Sequence, residues 1–333
     1  MIARAGIGVA RISVAWSRVQ PRRGAFDWSG LDARVGALQA NGIEPFLTFE
    51  SDADWGTAPE TRRVRNARPR DPAEWERFVR AVVDRYDADG RNDMPGLDGR
   101  VRWWQAANEW ISDRNRSGGW VGDAETLIAH LRRTRDAVKG EDPEAVFVLG
   151  GVAAFNADVL LVALGRREMI VRQRWSEDSE TVLTLGEMRG PEIARIVERR
   201  VLPVLSRGDY DVASVHLYGP EARDADRIRL IRELSGRPVL SSECGGPSLD
   251  YGGRYTPEDH FRAVVERNLG VLATGAPFCL WFLLGEDSAA TYGNRRTALY
   301  TRAAVPKPGV FAYRMLSRLI AADTRVARDG PAT

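Results

Sequence analysis

The 333-residue chain is 44% hydrophobic and 28% charged, with a formal charge of +2. That balance excludes a disordered, collagen-like or coiled-coil polypeptide and leaves a globular protein able to build a core without disulfide or metal. No basic tail points to nucleic acid, and no apolar run reaches the ~20 residues of a membrane span.

Of 48 basic residues only Lys139 and Lys307 are lysine, and the arginines alternate with 46 acids, the pattern of a solvated surface. Cys244 and Cys279 make no disulfide framework and read as buried thiols. Met1 to Gly6 carry no signal-peptide apolar region, so the chain as written reads as cytoplasmic. Secretion stays open if a leader lies upstream. Oligomeric state is not readable.

In chain order, the first short apolar run is Val9 to Val14, followed by Trp16 and a turn-rich stretch. A helix is expected from Ser29 to Ala40, stopped by Asn41-Gly42. The second run is Pro45 to Phe49. Asp71-Pro72 then supplies an N-cap with proline at the first helical position, ahead of an apolar face of Trp75, Phe78, Val79 and Val82. The third run is Val101 to Ala107, before a helix from Asp123 to Val138. The fourth is Ala145 to Leu149, closed by Gly150-Gly151.

Val152 to Arg189 is longer than an ordinary connection and reads as a short helix, Ala157 to Leu164, with an excursion expected to be a substrate-shaping insertion. A helix from Glu192 to Leu205 precedes the fifth run, Val212 to Leu217. Then come a helix from Ala222 to Leu234, the sixth run from Pro238 to Ser242, and a helix from Pro257 to Leu272. The seventh run is Pro277 to Leu284, with a last helix from Gly309 to Ala321. His130 and His260 lie within helical patterns as ordinary surface or core.

Seven strand–helix alternations imply a parallel sheet covered by helices. The first turn has no glycine-rich phosphate loop, which disfavours a doubly wound sheet and favours an α/β (β/α)₈ TIM barrel. On that reading residues 1–6 are the tail of a helix, and either the first strand lies upstream of Met1 or the barrel closes in another way. We expect one barrel domain over residues 1–325 and a tail at 326–333.

In such a barrel the reactive groups sit at the C-terminal strand ends. Those ends carry Arg11 and Trp16, then Glu50, Asp52, Asp54 and Trp55, then Asn108-Glu109-Trp110, His216-Leu217-Tyr218, Glu243 and Trp281. They lack a metal-ligand cluster and a Ser-His-Asp set, so neither metal nor cofactor is implied. Two carboxylates across an aromatic-lined pocket suit cleavage of a glycosidic bond in a carbohydrate. Glu50, Asp52 and Asp54 read as loop surface or remote sugar contacts. Trp55 and Trp120 read equally as outer-subsite walls or loop core.

The chain resembles glycoside hydrolase clan A, the retaining barrel glycosidases that include families 5 and 39. The likeness rests on Ala10-Arg11-Ile12-Ser13-Val14 with Trp16, on Gly24-Ala25-Phe26-Asp27-Trp28, and on Val101 to Trp110 with its Asn108-Glu109 pair. Ser214 to Tyr218, Arg237 to Glu243 and Lys307-Pro308 extend it along nearly the whole chain. The resemblance implies a retaining hydrolase of O-glycosidic bonds. Glu109 would be the general acid and then base, and Glu243 the nucleophile. Asn108 would bond the sugar 2-hydroxyl, and Arg11 would lie beside Glu243 and keep it ionised. His216 and Tyr218 would hold Glu243 and the sugar, and Trp281 would form a platform. Retention calls for carboxyl groups ~5–5.5 Å apart. The alternative from another class is a non-catalytic carbohydrate-binding protein on the same barrel. A phosphate-binding isomerase is disfavoured, because Leu284-Gly285-Glu286-Asp287 would repel a phosphate.

Overall fold

Period-two alternation organises the molecule inside a ring of parallel strands, with no ladder between its first and last strands among the described residues. A computed structural model describes residues 3–176, 178–248, 251–252, 255–286, 297–320 and 326. Strands β1 (Val9–Ala15), β2 (Glu44–Glu50), β3 (Trp103–Ala106) and β4 (Val146–Leu149) form one parallel sheet in that order. After a separate antiparallel hairpin, β5 (Val171–Ser176) and β6 (Ser179–Leu183), the parallel set resumes. It continues as β7 (Ala213–Leu217), β8 (Val239–Cys244) and β9 (Cys279–Trp281). Parallel bridges Val148↔Val212 and Val152↔Val215 join β4 to β7, so the two sheets run on as one. These are the seven strands expected from the sequence, in the expected order.

Alternate residues point inward in layers. At the floor, Phe46, Trp103, Val148, Leu240 and Leu280 pack together with Val9 and Val212. One layer up the ring turns polar: Thr48 donates to Gln105 (3.1 Å), and Ser214 to Ser242 (2.7 Å). The outward residues meet the helices, where Phe49 stacks on Trp104 (5.4 Å) and meets Trp75 edge-on (6.0 Å).

The helices are α1 (Trp16–Val19), α2 (Ser29–Gln39), α3 (Pro72–Asp84), α4 (Ala124–Glu141), α5 (Ala154–Ala163), α6 (Leu185–Met188), α7 (Pro191–Ile196) and α8 (Leu202–Arg207). A π turn over Val197–Val201 joins α7 to α8. After it come α9 (Asp224–Ser235), α10 (Pro257–Leu272) and α11 (Pro308–Leu319). Asp71 caps α3 by accepting from the Ala73 amide, as its Asp-Pro start implies, and Asp123 caps α4 through Thr126. None of the described helices is long and apolar enough to cross a membrane.

Three sequence expectations change. The excursion after Val152 is α5 plus the β5–β6 hairpin. The single helix over Glu192–Leu205 is broken by the π turn. And the charge pattern is not all solvated. Arg227 and Arg267 are fully buried with Asp158 and Asp224. There Arg227 donates to both Asp158 oxygens (2.7 and 2.8 Å) and lies 3.2 Å from Asp224. His130 and His260 are core residues, and both cysteines are buried and free. Most of the tail at 326–333 lies outside the described residues.

Candidate active site

The upper end of the strand ring gathers two glutamates from distant parts of the chain. Glu109 follows β3 in a corner where both it (φ 50°) and Ala107 (φ 67°) take left-handed backbone conformations. Such conformations cost free energy and persist only where surroundings impose them. Here the fourth strand imposes them: the Glu109 amide donates to the Gly151 carbonyl (3.1 Å), and the Gly150 amide to the Ala106 carbonyl (2.7 Å). Gly150 and Gly151 are required. A Cβ on Gly150 would run into the Ala107 carbonyl, and one on Gly151 into the His216 ring.

Glu243 arrives differently. Leu240 and Ser242 face inward, so strict alternation would turn Glu243 away from them. The β7–β8 register slips between Ser214↔Leu240 and His216↔Glu243, and this bulge aims both Ser242 and Glu243 into the ring.

Both carboxyl groups are tied down. Arg11 donates Nη1 to Glu243 Oε2 (2.9 Å), Nη2 to Asn108 Oδ1 (2.8 Å) and Nε to Thr48 Oγ1 (2.9 Å). The Tyr218 hydroxyl donates to Glu243 Oε1 (2.8 Å). His216 Nδ1 lies 2.8 Å from Glu109 Oε1 and 3.9 Å from Glu243 Oε1, between the two acids, and Asn115 Nδ2 donates to Glu109 Oε2. One carboxylate oxygen of each glutamate and a His216 nitrogen all lie within 4.8 Å of one another. The glutamate side chains stay 18% and 17% exposed, so a ligand can reach them.

Burial pushes the Glu109 carboxyl up, but the His216 hydrogen bond and charge, the Asn115 hydrogen bond and the Arg11 charge together hold it below the usual carboxylate range. Burial likewise pushes the Tyr218 hydroxyl far above its ordinary value, with the Glu243 charge adding to it, so Tyr218 acts as a donor. Glu109, His216 and Glu243 offer three ligand-type atoms, yet Arg11 and Tyr218 already take both Glu243 oxygens, and a guanidinium there opposes a second cation. The other acidic trio, Asp87, Asp89 and Asp93, sits in the loop after α3, on the opposite end of the ring.

The structure thus brings Arg11, Asn108, Glu109, His216, Tyr218 and Glu243 into one cleft. Asn108 Oδ1 is taken by Arg11 and its Nδ2 donates to the Ser117 carbonyl (3.2 Å), leaving a second N–H for a ligand. Trp281 lies half-buried across the strand pair from Cys244, its indole N–H donating to the Thr297 carbonyl (2.7 Å).

Trp16 is a correction: it does not reach the cleft. Its ring is fully buried against Trp55 (5.0 Å), Trp75 (5.2 Å) and Phe78, because α1 starts at that residue and turns it outward to the helix layer. Trp120 is loop core against His130 (4.8 Å). Asp52 caps α1 by accepting from the Ser17 amide and hydroxyl, Glu50 pairs with Arg65 (3.3 Å), and Asp54 with Arg62 (3.6 Å). Arg62, Arg65 and Arg116 line an open cavity of about 420 Å³ beside the Asn108 corner. Sequence reading missed Thr48, Gln105 and Asn115. The first two were available from alternation, two residues beyond Phe46 and Trp103. Asn115 sits in an irregular loop with no such signal.

Against known proteins, the family model described as beta-galactosidase, of glycoside hydrolase family 42, matches residues 1–56. No curated protein matches the chain. Among solved structures, a glucosidase from Croceicoccus marinus superposes with a TM-score of 0.65 at 14% identity, over 95% of this chain and 62% of that one. A family 39 glycoside hydrolase from Bacteroides cellulosilyticus WH2 gives 0.61 at 16%, over 96% and 59%. A monomeric beta-xylosidase from Caulobacter crescentus CB15 gives 0.60 at 16%, over 95% and 62%. The chain spans about three fifths of the length of these enzymes. At such identities the likeness shows the fold alone, an α/β TIM barrel.

Proposed function

We propose that this chain is a retaining glycoside hydrolase that cleaves a β-linked O-glycosidic bond through a glycosyl-enzyme intermediate. One observation carries the reading: the two glutamate carboxyl groups face each other with oxygens within 4.8 Å. That spacing suits a direct attack on the anomeric carbon, whereas inverting enzymes hold their carboxyl groups ~6.5–9.5 Å apart to admit a water.

In the first step a Glu243 oxygen bonds to the anomeric carbon while the glycosidic C–O bond breaks, and Glu109 gives its proton to the leaving oxygen. In the second, Glu109 takes a proton from water. The water oxygen bonds to the anomeric carbon, and the Glu243 ester bond breaks. Arg11 and Tyr218 fix the Glu243 carboxylate in line, and Asn108 offers its free N–H to a sugar hydroxyl. Trp281 carries no role in these steps, since its ring lies against His260 of α10 (6.0 Å) and its N–H is taken by the Thr297 carbonyl.

Glu109 must hold a proton before the first step, yet the free site favours its ionised form. A substrate that excludes water deepens the burial that raises the Glu109 carboxyl, and so favours its protonated form in the complex.

The test is a panel of aryl β-glycosides. Glu243→Ala loses turnover on the order of 10⁴-fold, and azide restores it with inverted product. Glu109→Ala costs most on substrates with poor leaving groups. Wild type that binds sugars while neither substitution alters any rate overturns the proposal in favour of a non-catalytic carbohydrate-binding protein.

A further inference from the structure

The hairpin inserted after α5 puts an indole on the surface where none is needed for packing. Trp175 is 51% exposed, the largest aromatic surface among the described residues. It is held rather than loose: its Nε1 donates to Thr181 Oγ1 across the hairpin (2.7 Å), and its ring meets Phe155 at 6.0 Å, 61° from parallel. An edge contact on one side and a pinned N–H leave a ring face open to solvent.

Its place in the fold matters more than its exposure. Val171 and Leu183, paired across the hairpin, pack on α5 with Phe155 and Val159. The register shifts between Arg174 and Ser176, so Trp175 is the irregular residue that carries this inner face past the helix. Phe155 lies in the first turn of α5, three residues after Val152, and Val152 bonds to the His216 amide (2.8 Å). The first turn of α5 follows the C-terminal end of β4, so the indole lies on the face of the barrel onto which the Glu109–Glu243 cleft opens, on the β4 side. Its hairpin neighbours Gln173, Arg174, Glu180 and Thr181 are polar, which suits a carbohydrate better than an apolar protein face.

We propose that Trp175 is the stacking platform of an outer subsite, and that the substrate is accordingly an oligosaccharide or polysaccharide rather than a short glycoside. The apolar C–H face of a sugar several units from the cut lies on the open indole face. Thr181 keeps that face oriented. The assignment of the occupant rests on the glycosidase reading of the adjoining cleft.

The experiment reads chain-length preference. In wild type, kcat/KM for a β-linked tetrasaccharide exceeds that for the matching aryl monoglycoside by about tenfold, the scale of one aromatic stacking contact, and the gain lies in KM. Trp175→Ala brings the ratio close to one, Trp175→Phe keeps most of it, and Thr181→Val loses part. In parallel, tetrasaccharide binding to Glu243→Gln is measured by calorimetry with and without Trp175→Ala, which weakens it about tenfold. A ratio unmoved by Trp175→Ala, or binding unmoved in the Glu243→Gln background, overturns the platform. So does a change of sedimentation coefficient in Trp175→Ala, which would assign the ring to self-association. If nothing is hydrolysed but Trp175→Ala still weakens binding, the catalytic reading fails and the platform stands.

Discussion

The barrel holds two clusters of arginine and carboxylate that use the same chemistry to opposite ends. Beneath the loop after β7, Asp158 is met by Arg227 through both oxygens and by Arg223 (2.7 Å), and Asp224 lies 3.2 Å from both Arg227 and Arg267. Here Asp158 and Asp224 each face two guanidiniums, Glu221 pairs with Arg267 (3.1 Å), and Asp158, Arg227 and Arg267 are sealed from water. In the cleft the ratio is reversed. Two glutamates share one arginine, their oxygens point at each other, and solvent reaches both. A cluster with as many guanidiniums as carboxylates fastens elements together. An undercompensated one leaves an unsatisfied demand for positive charge, which a developing oxocarbenium ion can meet.

The clusters are also joined. Arg227 Nη1 donates to the Tyr218 carbonyl (2.6 Å), and Arg267 Nη2 to the Gly219 carbonyl (2.7 Å). The backbone that presents the Tyr218 hydroxyl to Glu243 is thus anchored by the sealed cluster.

Substitutions can break this contrast. The largest effect is the loss of turnover in Glu243→Ala, with folding stability held within about 1 kcal/mol of wild type, as expected of an undercompensated charge. Next comes Arg227→Met, which leaves the buried Asp158 and Asp224 with one guanidinium each, Arg223 and Arg267, and should cost about 3 kcal/mol in urea unfolding. Adding Asp158→Leu should recover most of that loss, since replacing a whole buried pair by apolar groups is far milder than halving it. If Arg227→Met unfolds no more easily than wild type, the sealed cluster is not the anchor described.

The sequence revealed one cluster and hid the other for physical reasons. Glu109 and Glu243 end apolar runs, and strand ends of one barrel converge whatever the loops do, so their meeting followed from order alone. Arg11 was legible as a charge inside an apolar run. Asp158, Arg227 and Arg267 lie in helices rich in charge, where burial depends on which helix covers which. Nothing in a single charged residue marks it as buried. Trp16 misled because an aromatic at a strand end faces the cleft or the helix layer according to where the next helix begins. The bulge that aims Glu243 left no mark either, since Ser241-Ser242-Glu243 has no glycine to betray it.

Arg11 sharpens the comparison by a smaller step. Arg11→Gln should lower kcat by about 10²-fold, the cost of removing one charged donor from a polar active site. Stability should move by less than about 1 kcal/mol in the same urea titration. Arg11→Lys should recover only part of the rate, because an ammonium cannot serve Glu243, Asn108 and Thr48 from one planar fork. A stability loss comparable to that of Arg227→Met would instead make Arg11 a structural ion-pair partner.

The smallest effect is a difference in sign with pH. Burial raises the Asp224 carboxyl to about 6 despite the opposing charges of Arg267 and Arg227. The Glu109 carboxyl is held below its ordinary range. A carboxyl raised by folding binds its proton more tightly in the native state, so its contribution is fully present below the unfolded value near 4 and is lost as pH rises through about 6. A carboxyl lowered by folding contributes above the unfolded value, and that contribution is lost as pH falls through the native one. Relative to Asp224→Asn, wild type should therefore lose about 2 kcal/mol between pH 4 and pH 7. Relative to Glu109→Gln, it should lose stability as the solution is acidified below pH 4. Urea titrations of the three proteins across that range check both slopes. Two slopes of the same sign would mean that guanidinium charge, rather than burial, governs Asp224, and the sealed cluster would then be an ordinary ion-pair network.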